Sequence, residues 1–310
     1  MIWLIGAGSM AIEYAKVLKA QNETFKVIGR GQGSATEFES KTGITVHRSP
    51  IDEVVKGADI RCDSAIVCVS TLSSFDITLQ LLGIGFKSIL VEKPAALSLD
   101  EAKQLYRASI EANANVYIGL NRRFYASVEK AHQLIKEDGG VRAIQFEFTE
   151  WSHVIEKLSK PRKELENWFL CNSLHVVDLA FSFSGAPAEM SCNHSGELSW
   201  HKPALFSGSG VTQTGVLFSY HADWESAGRW AIEIQTSKRK IYLSPFEELA
   251  IQNKGSISIS KFALESSLDI DFKPGLYKQV ESFLGNKQTD MVTINSYVEM
   301  LPHYLKIAGY

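Results

Sequence analysis

Short apolar runs alternate with segments of helical periodicity over the first 120 residues. The runs are β-branched and apolar throughout, which is typical of strands that are covered on both faces. The segments between them repeat apolar positions every three or four residues, as amphipathic helices do. The pattern predicts strands at Ile2–Ile5, Thr24–Ile28, Ile44–Val46, Ser64–Val69, Ser88–Glu92 and Val116–Leu120, and helices at Met10–Ala20, Ala35–Thr42, Ile51–Lys56, Phe75–Leu82 and Leu99–Ala112.

This alternation predicts an α/β Rossmann domain over residues 1–120, a doubly wound parallel sheet that binds a dinucleotide. The pattern then changes, and Trp230–Gln235 alternates between apolar and polar residues as an antiparallel strand does. We therefore predict a second domain over 121–310, of α+β class with a large, mostly antiparallel open sheet. Its predicted strands are Ala143–Glu150, Glu189–Asn193, Val211–Tyr220, Trp230–Gln235 and Lys240–Leu243, and its predicted helices are Ala126–Glu137, Ser173–Phe183, Tyr277–Leu284 and Ile294–Ile307.

Composition narrows the class of protein. The chain is 45% apolar and 22% charged with a net charge of −3, which argues against a nucleic-acid or acidic-membrane binder. A core strand at the very start and the lack of a run of about 20 apolar residues predict a cytoplasmic protein without leader or membrane span. The cysteines show no metal-type spacing, so we expect reduced thiols and no metal site at Cys62, Cys68, Cys171 and Cys192.

The first strand runs into the motif Gly6-Ala7-Gly8-Ser9-Met10-Ala11. Gly6 permits a tight turn, Gly8 lets a pyrophosphate approach the backbone, and Ala11 lets the helix pack closely on the strand. The amide groups at the start of the helix then face the phosphates. We expect Gly6, Gly8, Ser9 and Met10 to bind the cofactor, although glycines at such a turn also serve packing alone.

The end of the second strand bears on which nicotinamide cofactor is used. An acidic residue there would accept hydrogen bonds from the ribose hydroxyls of NAD. Here the segment is Gly29-Arg30-Gly31-Gln32-Gly33-Ser34, without a carboxylate. Arg30 offers a planar fork to a 2′-phosphate and Ser34 a neutral donor, so we expect NADP(H) to be preferred, with NAD(H) possible. A solvent-facing loop arginine is the alternative.

Three further motifs carry ionisable side chains. Val91-Glu92-Lys93-Pro94 ends the fifth strand, so Lys93 is aimed where a nicotinamide would lie. Gly119-Leu120-Asn121-Arg122-Arg123-Phe124 ends the sixth strand. In the second region, His175 and Asp178 of the segment Leu174–Asp178 share one helix face.

With the opening glycines, these motifs in this order resemble the glucose–fructose oxidoreductase / inositol dehydrogenase / MocA (Gfo/Idh/MocA) family, over nearly the whole chain. The resemblance implies that Lys93 is the active-site lysine that contacts the reacting oxygen and that His175 is the acid/base. It puts Glu92, Lys93 and Asn121 among the cofactor contacts and Arg122 in the substrate cleft. The implied enzyme is an NAD(P)-dependent oxidoreductase acting on a hydroxyl or carbonyl carbon of a sugar, cyclitol or nucleotide sugar.

The physical chemistry agrees with these roles. Hydride leaving an alcohol carbon requires loss of the hydroxyl proton, for which the His175 imidazole is a suitable base. A cationic Lys93 would stabilise the developing alkoxide. A histidine satisfied within the core is the alternative for His175. We also predict substrate contacts from Lys93, His175, Trp168 and Asn172, although Trp168 equally suits simple packing.

The sequence departs from the family pattern at two places. Cys171 stands where the family often has an aspartate ahead of the histidine, and Ser173 replaces a glycine, so a carboxylate that assists proton transfer is missing from the motif. The family's Thr-Pro pair is absent after the fourth strand, where Ser70 and Thr71 can still hydrogen-bond a ribose or phosphate.

Three interpretations therefore stay open. The first is an oxidoreductase acting on a small polyhydroxylated substrate. The second is a catalytically impaired NADP-binding regulatory or sensor protein of the same fold, which the loss of the carboxylate at Cys171 favours. The third is a nucleotide-binding transferase, in which Lys93 and His175 have no obvious role. By family analogy we also expect a homodimer or homotetramer formed through the C-terminal sheet.

Overall fold

The structure is a computed structural model that describes residues 1–56, 63–285 and 290–310. It divides into two compact units. The first comprises Met1–Asn121 together with Asp271–Glu299, and the second comprises Arg122–Ile270 together with Met300–Tyr310. The segment 271–299 thus returns to the first unit. The sequence-based division at residue 120 assigned this segment to the second domain, and that division stays a prediction.

The elements follow one another in the rhythm that the hydrophobic pattern indicates. The strands are β1 (Ile2–Ile5), β2 (Phe25–Ile28), β3 (Val46–His47), β4 (Ser64–Val67), β5 (Ser88–Glu92), β6 (Asn115–Gly119), β7 (Ala143–Glu147), β8 (Pro187–Ser195), β9 (Leu205–Thr212), β10 (Leu217–Asp223), β11 (Ala231–Gln235), β12 (Arg239–Leu243), β13 (Ala250–Asn253), β14 (Ser260–Lys261) and β15 (Val292–Thr293). The helices are α1 (Ser9–Ala20), α2 (Gln32–Thr42), α3 (Ile51–Val54), α4 (Thr71–Ile84), α5 (Leu99–Glu111), α6 (Ala126–Glu137), α7 (Ser152–Ile155), α8 (Arg162–Glu166), α9 (Leu174–Ser184), α10 (Ser267–Asp271), α11 (Leu276–Leu284) and α12 (Ile294–Ala308).

The sheet of the first unit has the order β15-β6-β5-β4-β1-β2-β3 among the described residues. Strands β1 to β6 pair in parallel, and only β15 runs antiparallel, along β6. This is the doubly wound Rossmann arrangement that the sequence predicted. Since parallel strands end at one edge, the residues that follow β1, β4 and β5 lie along the same edge of the sheet.

Local signals explain where the helices of this unit begin and end. The Ser98 hydroxyl accepts a hydrogen bond from the Glu101 amide at 3.2 Å, while the Glu101 carboxylate accepts one from Leu97 at 2.8 Å, which starts α5. Left-handed glycines end two other helices, Gly43 after α2 and Gly85 after α4.

The turn between β1 and α1 is fixed by close backbone packing. Gly6 has φ of +121°, and a Cβ there would overlap the carbonyl oxygen of Cys68, which follows β4. Only glycine fits both constraints without moving the backbone. Ala11 and Ala15 of α1 are fully buried, so the helix packs closely on the strands.

The second unit is built on a sheet of the order β14-β13-β12-β11-β7-β10-β9-β8 among the described residues. Its pairs are antiparallel except for β10 and β7, which run parallel. The alternating pattern in β11 buries Ile232 and Ile234 on the face where α9 packs. The predicted α+β domain with a mostly antiparallel sheet is thus confirmed.

One predicted strand is wrong. The segment Val211–Tyr220 is not continuous but a hairpin, because β9 ends at Thr212 and β10 begins at Leu217. Gly215, with φ of +81°, donates its amide to the Thr212 carbonyl at 2.9 Å and closes the turn. The sequence Gln213-Thr214-Gly215 carried this turn signal.

Three further features concern the segment 152–166, the cysteines and the length of the helices. The segment 152–166 contains the short helices α7 and α8. Cys62 lies outside the described residues, and Cys68, Cys171 and Cys192 form no disulfide with one another. Within the described part of the chain, no helix is long and apolar enough to cross a membrane.

Replacing Gly6 by alanine tests the turn. We expect Gly6→Ala to lower the free energy of unfolding by about 2–4 kcal/mol, because alanine must adopt a positive φ and its Cβ meets backbone. The matched control is Gly33→Ala in α2, where a Cβ has no neighbour within 4 Å and φ is not positive. That change should be neutral or stabilise by up to about 1 kcal/mol. Urea denaturation measures both, and equal midpoints for the two variants would contradict the packing argument.

Candidate functional site

The first unit offers a cradle for a dinucleotide at the start of α1. Gly8 precedes the helix, caps it without a side-chain hydrogen bond, and a Cβ built on it would meet nothing within 4 Å. Ser9 and Met10, which follow, are exposed and partly exposed. Open space over backbone amides at a helix N-terminus fits the phosphates of a dinucleotide.

Arg30 stands one residue after the buried Gly29 at the end of β2. Its side chain is exposed and makes no hydrogen bond or ion pair with the described residues. The nearby Ser34 hydroxyl donates to the Gly31 carbonyl at 3.1 Å. The guanidinium is therefore available to a ligand, while the Ser34 hydroxyl is already used as a donor within the loop.

Ser70 and Thr71 lie at the carboxyl end of β4, where α4 begins. Ser70 is exposed, and its hydroxyl shares a 2.9 Å hydrogen bond with that of Ser73. Thr71 is the first residue of the helix and is partly exposed. Both hydroxyls lie at the same edge of the sheet as Gly8.

Lys93 directly follows β5 and is partly buried. Its neighbour Glu92 does not project toward a ligand: the Glu92 carboxylate accepts a hydrogen bond of 2.6 Å from the Tyr14 hydroxyl of α1. Burial raises the pKa of Glu92, and Tyr14, Lys93 and Lys273 oppose that rise. The bond therefore links the first helix of the unit to the end of β5, beside Lys93.

Asn121 is also held within the first unit. It is buried, and its amide donates to the Pro274 carbonyl at 2.8 Å. Gln279 of α11 is fully buried next to it, and its amide, oriented by the hydrogen-bond network, donates to Tyr14 at 3.3 Å and accepts from the Leu120 and Asn121 amides at 3.1 Å. The returning segment 271–299 thus braces the end of β6 and the middle of α1, a role that sequence reasoning missed.

In the second unit, Arg122 and Arg123 follow one another in a single helical turn and have different surroundings. Arg123 forms a bidentate pair with Asp178 at 2.8 and 2.7 Å, and Tyr304 donates to the same carboxylate at 3.0 Å. Asp178 is 1% exposed, so it serves to anchor this turn on α9. The Arg122 guanidinium lies 4.8 Å from the ring centre of Trp230.

Glu150 is the central polar group of this unit, and sequence reasoning missed it. Its carboxylate is 1% exposed and accepts hydrogen bonds from Ser173 at 2.7 Å and Asn172 at 2.9 Å, with Arg229 at 3.3 Å. Burial raises the pKa of Glu150, and bonds from Ser173, Asn172 and the charge of Arg229 oppose that rise. The sequence has Cys171 where the family often has an aspartate. The buried carboxylate of Glu150, which follows β7, is nevertheless hydrogen-bonded to the next two residues, Asn172 and Ser173.

His175 lies on α9 and is 5% exposed, with its ring centre 6.3 Å from that of Trp230. Trp168 is 8% exposed and packs edge-on against Trp200 at 6.1 Å. Its indole nitrogen has no hydrogen-bond partner within the part of the chain that the structure describes. Asn172 is partly exposed, and its side-chain amide donates to the Glu150 carboxylate.

The predicted residues thus fall into two groups, one in each unit. In the first unit the glycine turn, Ser70, Thr71 and Lys93 share one edge of the sheet. In the second unit, Arg122 and His175 meet around Trp230, a residue that the sequence did not single out. No cluster of three or more His, Cys, Asp or Glu with metal-binding geometry occurs in residues 1–56, 63–285 and 290–310.

Comparison with known proteins adds the family context. Residues 1–120 match the model of the oxidoreductase family with an NAD-binding Rossmann fold. The chain is 28% identical over 141 residues to the uncharacterized oxidoreductase YhhX of Escherichia coli (strain K12), a match that covers 45% of this chain and 39% of that protein. The match thus spans less than half the length of this relative.

Solved structures agree on the fold. A protein of Desulfitobacterium hafniense DCB-2, described as an NADPH-dependent oxidoreductase, superimposes with a TM-score of 0.82 at 17% identity, covering 99% of this chain and 94% of that one. A levoglucosan dehydrogenase in complex with NADH gives a TM-score of 0.82 at 16% identity, covering 99% and 95%. At these identities the likeness shows that the fold is shared.

Glu150 predicts a pH dependence of stability. Its carboxyl pKa in the folded chain is raised above the ordinary value of 4.5, so the folded state retains the proton to a higher pH than the unfolded state. The contribution of Glu150 to stability is therefore greatest below pH 4.5 and declines as the pH rises through the folded pKa. We expect the difference in unfolding free energy between the wild type and Glu150→Gln to shrink between pH 4.5 and 7.

Urea denaturation at several pH values measures this difference. The control is Glu156→Gln, which alters an exposed carboxylate just after α7. If the Glu150 difference grew as the pH rose, attraction to Arg229 would outweigh the cost of burial and the predicted sign would be wrong.

Proposed function

Because residues 1–120 match the model of the Gfo/Idh/MocA oxidoreductase family, we propose that the chain transfers a hydride between a nicotinamide cofactor and a hydroxyl- or carbonyl-bearing carbon of a sugar, cyclitol or nucleotide sugar. One observation carries this proposal. The Gly8 turn, Ser70 with Thr71, and Lys93 follow β1, β4 and β5, three neighbouring parallel strands that end at one edge of the sheet. In open α/β sheets, that edge is where ligands bind.

The residues at this edge suit a dinucleotide. Backbone amides at Gly8, Ser9 and Met10 would hold the pyrophosphate, and the Ser70 and Thr71 hydroxyls would hold ribose or phosphate oxygens. A bound nicotinamide supplies or accepts the hydride. Glu92 and Asn121 are proposed to act in cofactor binding through their positions at the ends of β5 and β6. Their side chains are already bonded to Tyr14 and Pro274.

Lys93 and His175 are proposed as the catalytic residues. In the oxidation direction the C–H electron pair leaves with the hydride, and the hydroxyl proton passes to the His175 imidazole. The Lys93 ammonium stabilises the negative charge that develops on the substrate oxygen. In the reduction direction both steps are reversed. Arg122, Trp168 and Asn172 are the proposed substrate contacts of the second unit.

We propose that NADP(H) is preferred over NAD(H). The loop after β2 carries no carboxylate to receive the ribose hydroxyls, and the exposed Arg30 is free to pair with a 2′-phosphate. The related folds include a levoglucosan dehydrogenase with NADH and a protein described as NADPH-dependent, so the fold accommodates both.

A sugar-type substrate and self-association complete the proposal. The levoglucosan dehydrogenase is also known in complex with NADH and levoglucosan, which supports a polyhydroxylated substrate here. The second sheet presents exposed apolar side chains on its outer face, among them Leu217 at 62% and Leu205 at 38% exposure. This face is the proposed contact of a homodimer or homotetramer.

The cofactor-bound regulator without turnover is the second candidate. Its support is Cys171, which stands in the place of a proton-assisting aspartate. The buried carboxyl group of Glu150, bonded to Asn172 and Ser173, weakens that support because it brings a carboxyl group back to this motif.

Catalytic roles are tested with Lys93→Met and His175→Gln. We expect each to lower kcat/KM by about 10²–10⁴-fold in nicotinamide absorbance assays with a panel of sugars, cyclitols and nucleotide sugars, since a charge stabiliser or a proton carrier is lost. The matched controls are Lys103→Met on α5 and His153→Gln on α7, both exposed. Unchanged turnover in both test variants would reject the assignment, and a silent panel with intact cofactor binding would favour the regulator.

The cofactor preference is tested with Arg30→Ala. We expect the variant to bind NADPH about 10- to 100-fold more weakly and NADH unchanged, because only NADPH carries the 2′-phosphate. Nicotinamide fluorescence titration measures both affinities, with the exposed Arg107→Ala of α5 as control. Tighter binding of NADH than of NADPH by the wild type would overturn the preference.

A further inference from the structure

We infer that Arg122, assisted by Arg229, forms a subsite for a carboxylate or phosphate group of the substrate beside the indole of Trp230. The inference rests on the proposed function, which supplies the polyhydroxylated substrate, and it narrows that substrate to one with an anionic group. All the residues that carry it belong to the second unit.

Two guanidinium groups lie over the indole ring of Trp230. The Arg122 and Arg229 guanidinium carbons lie 4.8 and 4.7 Å from the ring centre of Trp230. The ring of His175, the proposed acid/base, is centred 6.3 Å from the same indole. An anionic group held by the arginines would therefore lie close to the group that exchanges a proton with the substrate.

The two arginines differ in how their charge is balanced. Arg229 is paired with the buried Glu150 carboxylate at 3.3 Å and also stacks on Trp151 at 4.8 Å. The Arg122 guanidinium makes no hydrogen bond or ion pair with a described residue, and its central carbon lies over the ring of Trp230. Tyr125, Glu247 and Glu150 act on Arg122 electrostatically, but none of the three forms a hydrogen bond or ion pair with its guanidinium within the described part of the chain.

Arg122 is partly buried, which makes its lack of acceptors informative. A guanidinium has five N–H donors and remains charged, and withdrawing it from water without hydrogen-bond acceptors is costly. The ring compensates part of the charge but accepts none of the in-plane N–H bonds. A carboxylate or phosphate matches the planar fork and would satisfy two donors at once.

The surroundings hold this fork in place before any ligand arrives. The next residue, Arg123, is locked by its bidentate pair with the buried Asp178. Trp230 is 7% exposed and packs against Phe246, with ring centres 6.2 Å apart. An arginine that is oriented in advance loses less entropy on binding, so it discriminates anionic from neutral ligands more strongly.

Binding of matched neutral and anionic sugars tests the inference without requiring turnover. Isothermal titration with D-glucuronate and D-glucose, on protein saturated with NADP⁺, compares two ligands that differ in a carboxylate. We expect glucuronate to bind at least about 10-fold more tightly and increasing salt to weaken only glucuronate. Arg122→Gln should remove this advantage, Arg122→Lys should retain part of it, and the exposed Arg142→Gln should leave it intact.

The outcomes separate this subsite from other sources of anion binding. If Arg122→Gln weakened NADP⁺ and left glucuronate unaffected, the guanidinium would serve a cofactor phosphate and the inference would be wrong. Equal binding of the two sugars to the wild type, in a variant set that melts at the same temperature, would also overturn it. Arg122-dependent glucuronate binding without hydride transfer would support the subsite while the proposed catalysis failed.

Discussion

The first unit depends on the contact between the Gly6 turn and the backbone that follows β4. Because no side chain fits at Gly6, α1 leaves β1 in one direction and presents the open amides around Gly8 at the edge of the sheet. The same direction carries Tyr14 into the interior, where its hydroxyl bonds the Glu92 carboxylate at 2.6 Å. The end of β5 is thereby fixed, and Lys93 follows directly. One backbone contact thus determines the position of the proposed phosphate-binding turn and the backbone position from which the proposed catalytic lysine, Lys93, extends.

The second unit is organised around a buried carboxylate instead of a backbone contact. Glu150 draws Asn172 and Ser173, just ahead of the histidine helix, toward Arg229, which lies just before β11. Three donors from two distant segments offset part of the cost of burying the charge, which is several kcal/mol without them. Removing the acceptor would free both segments, so the position of the turn that leads into His175 depends on a residue more than twenty positions earlier in the chain.

The sequence predicted what short-range patterns specify. The parallel sheet, the Gly6 and Gly8 turn and the placement of Lys93 after β5 all follow from local periodicity and from the common edge of parallel strands. It missed the hairpin at Gly215 because the apolar pattern continues on both sides of the turn. It also missed Glu150, Gln279 and Trp230, because partners brought together by sheet register and by a returning segment leave no spacing signal.

Cofactor binding and substrate binding differ in whether neighbouring residues or distant segments of the chain specify them. Dinucleotide binding needs backbone amides at a strand end, which a short motif around Gly8 can specify on its own. Substrate recognition needs side chains from separate segments, here Arg122 before α6, Arg229 and Trp230 before β11, and His175 on α9. Such a set can change one residue at a time without disturbing the cofactor turn. A Rossmann unit with a constant motif can therefore serve many substrates, and the inferred preference for an anionic substrate rests on the surroundings of Arg122 rather than on any motif.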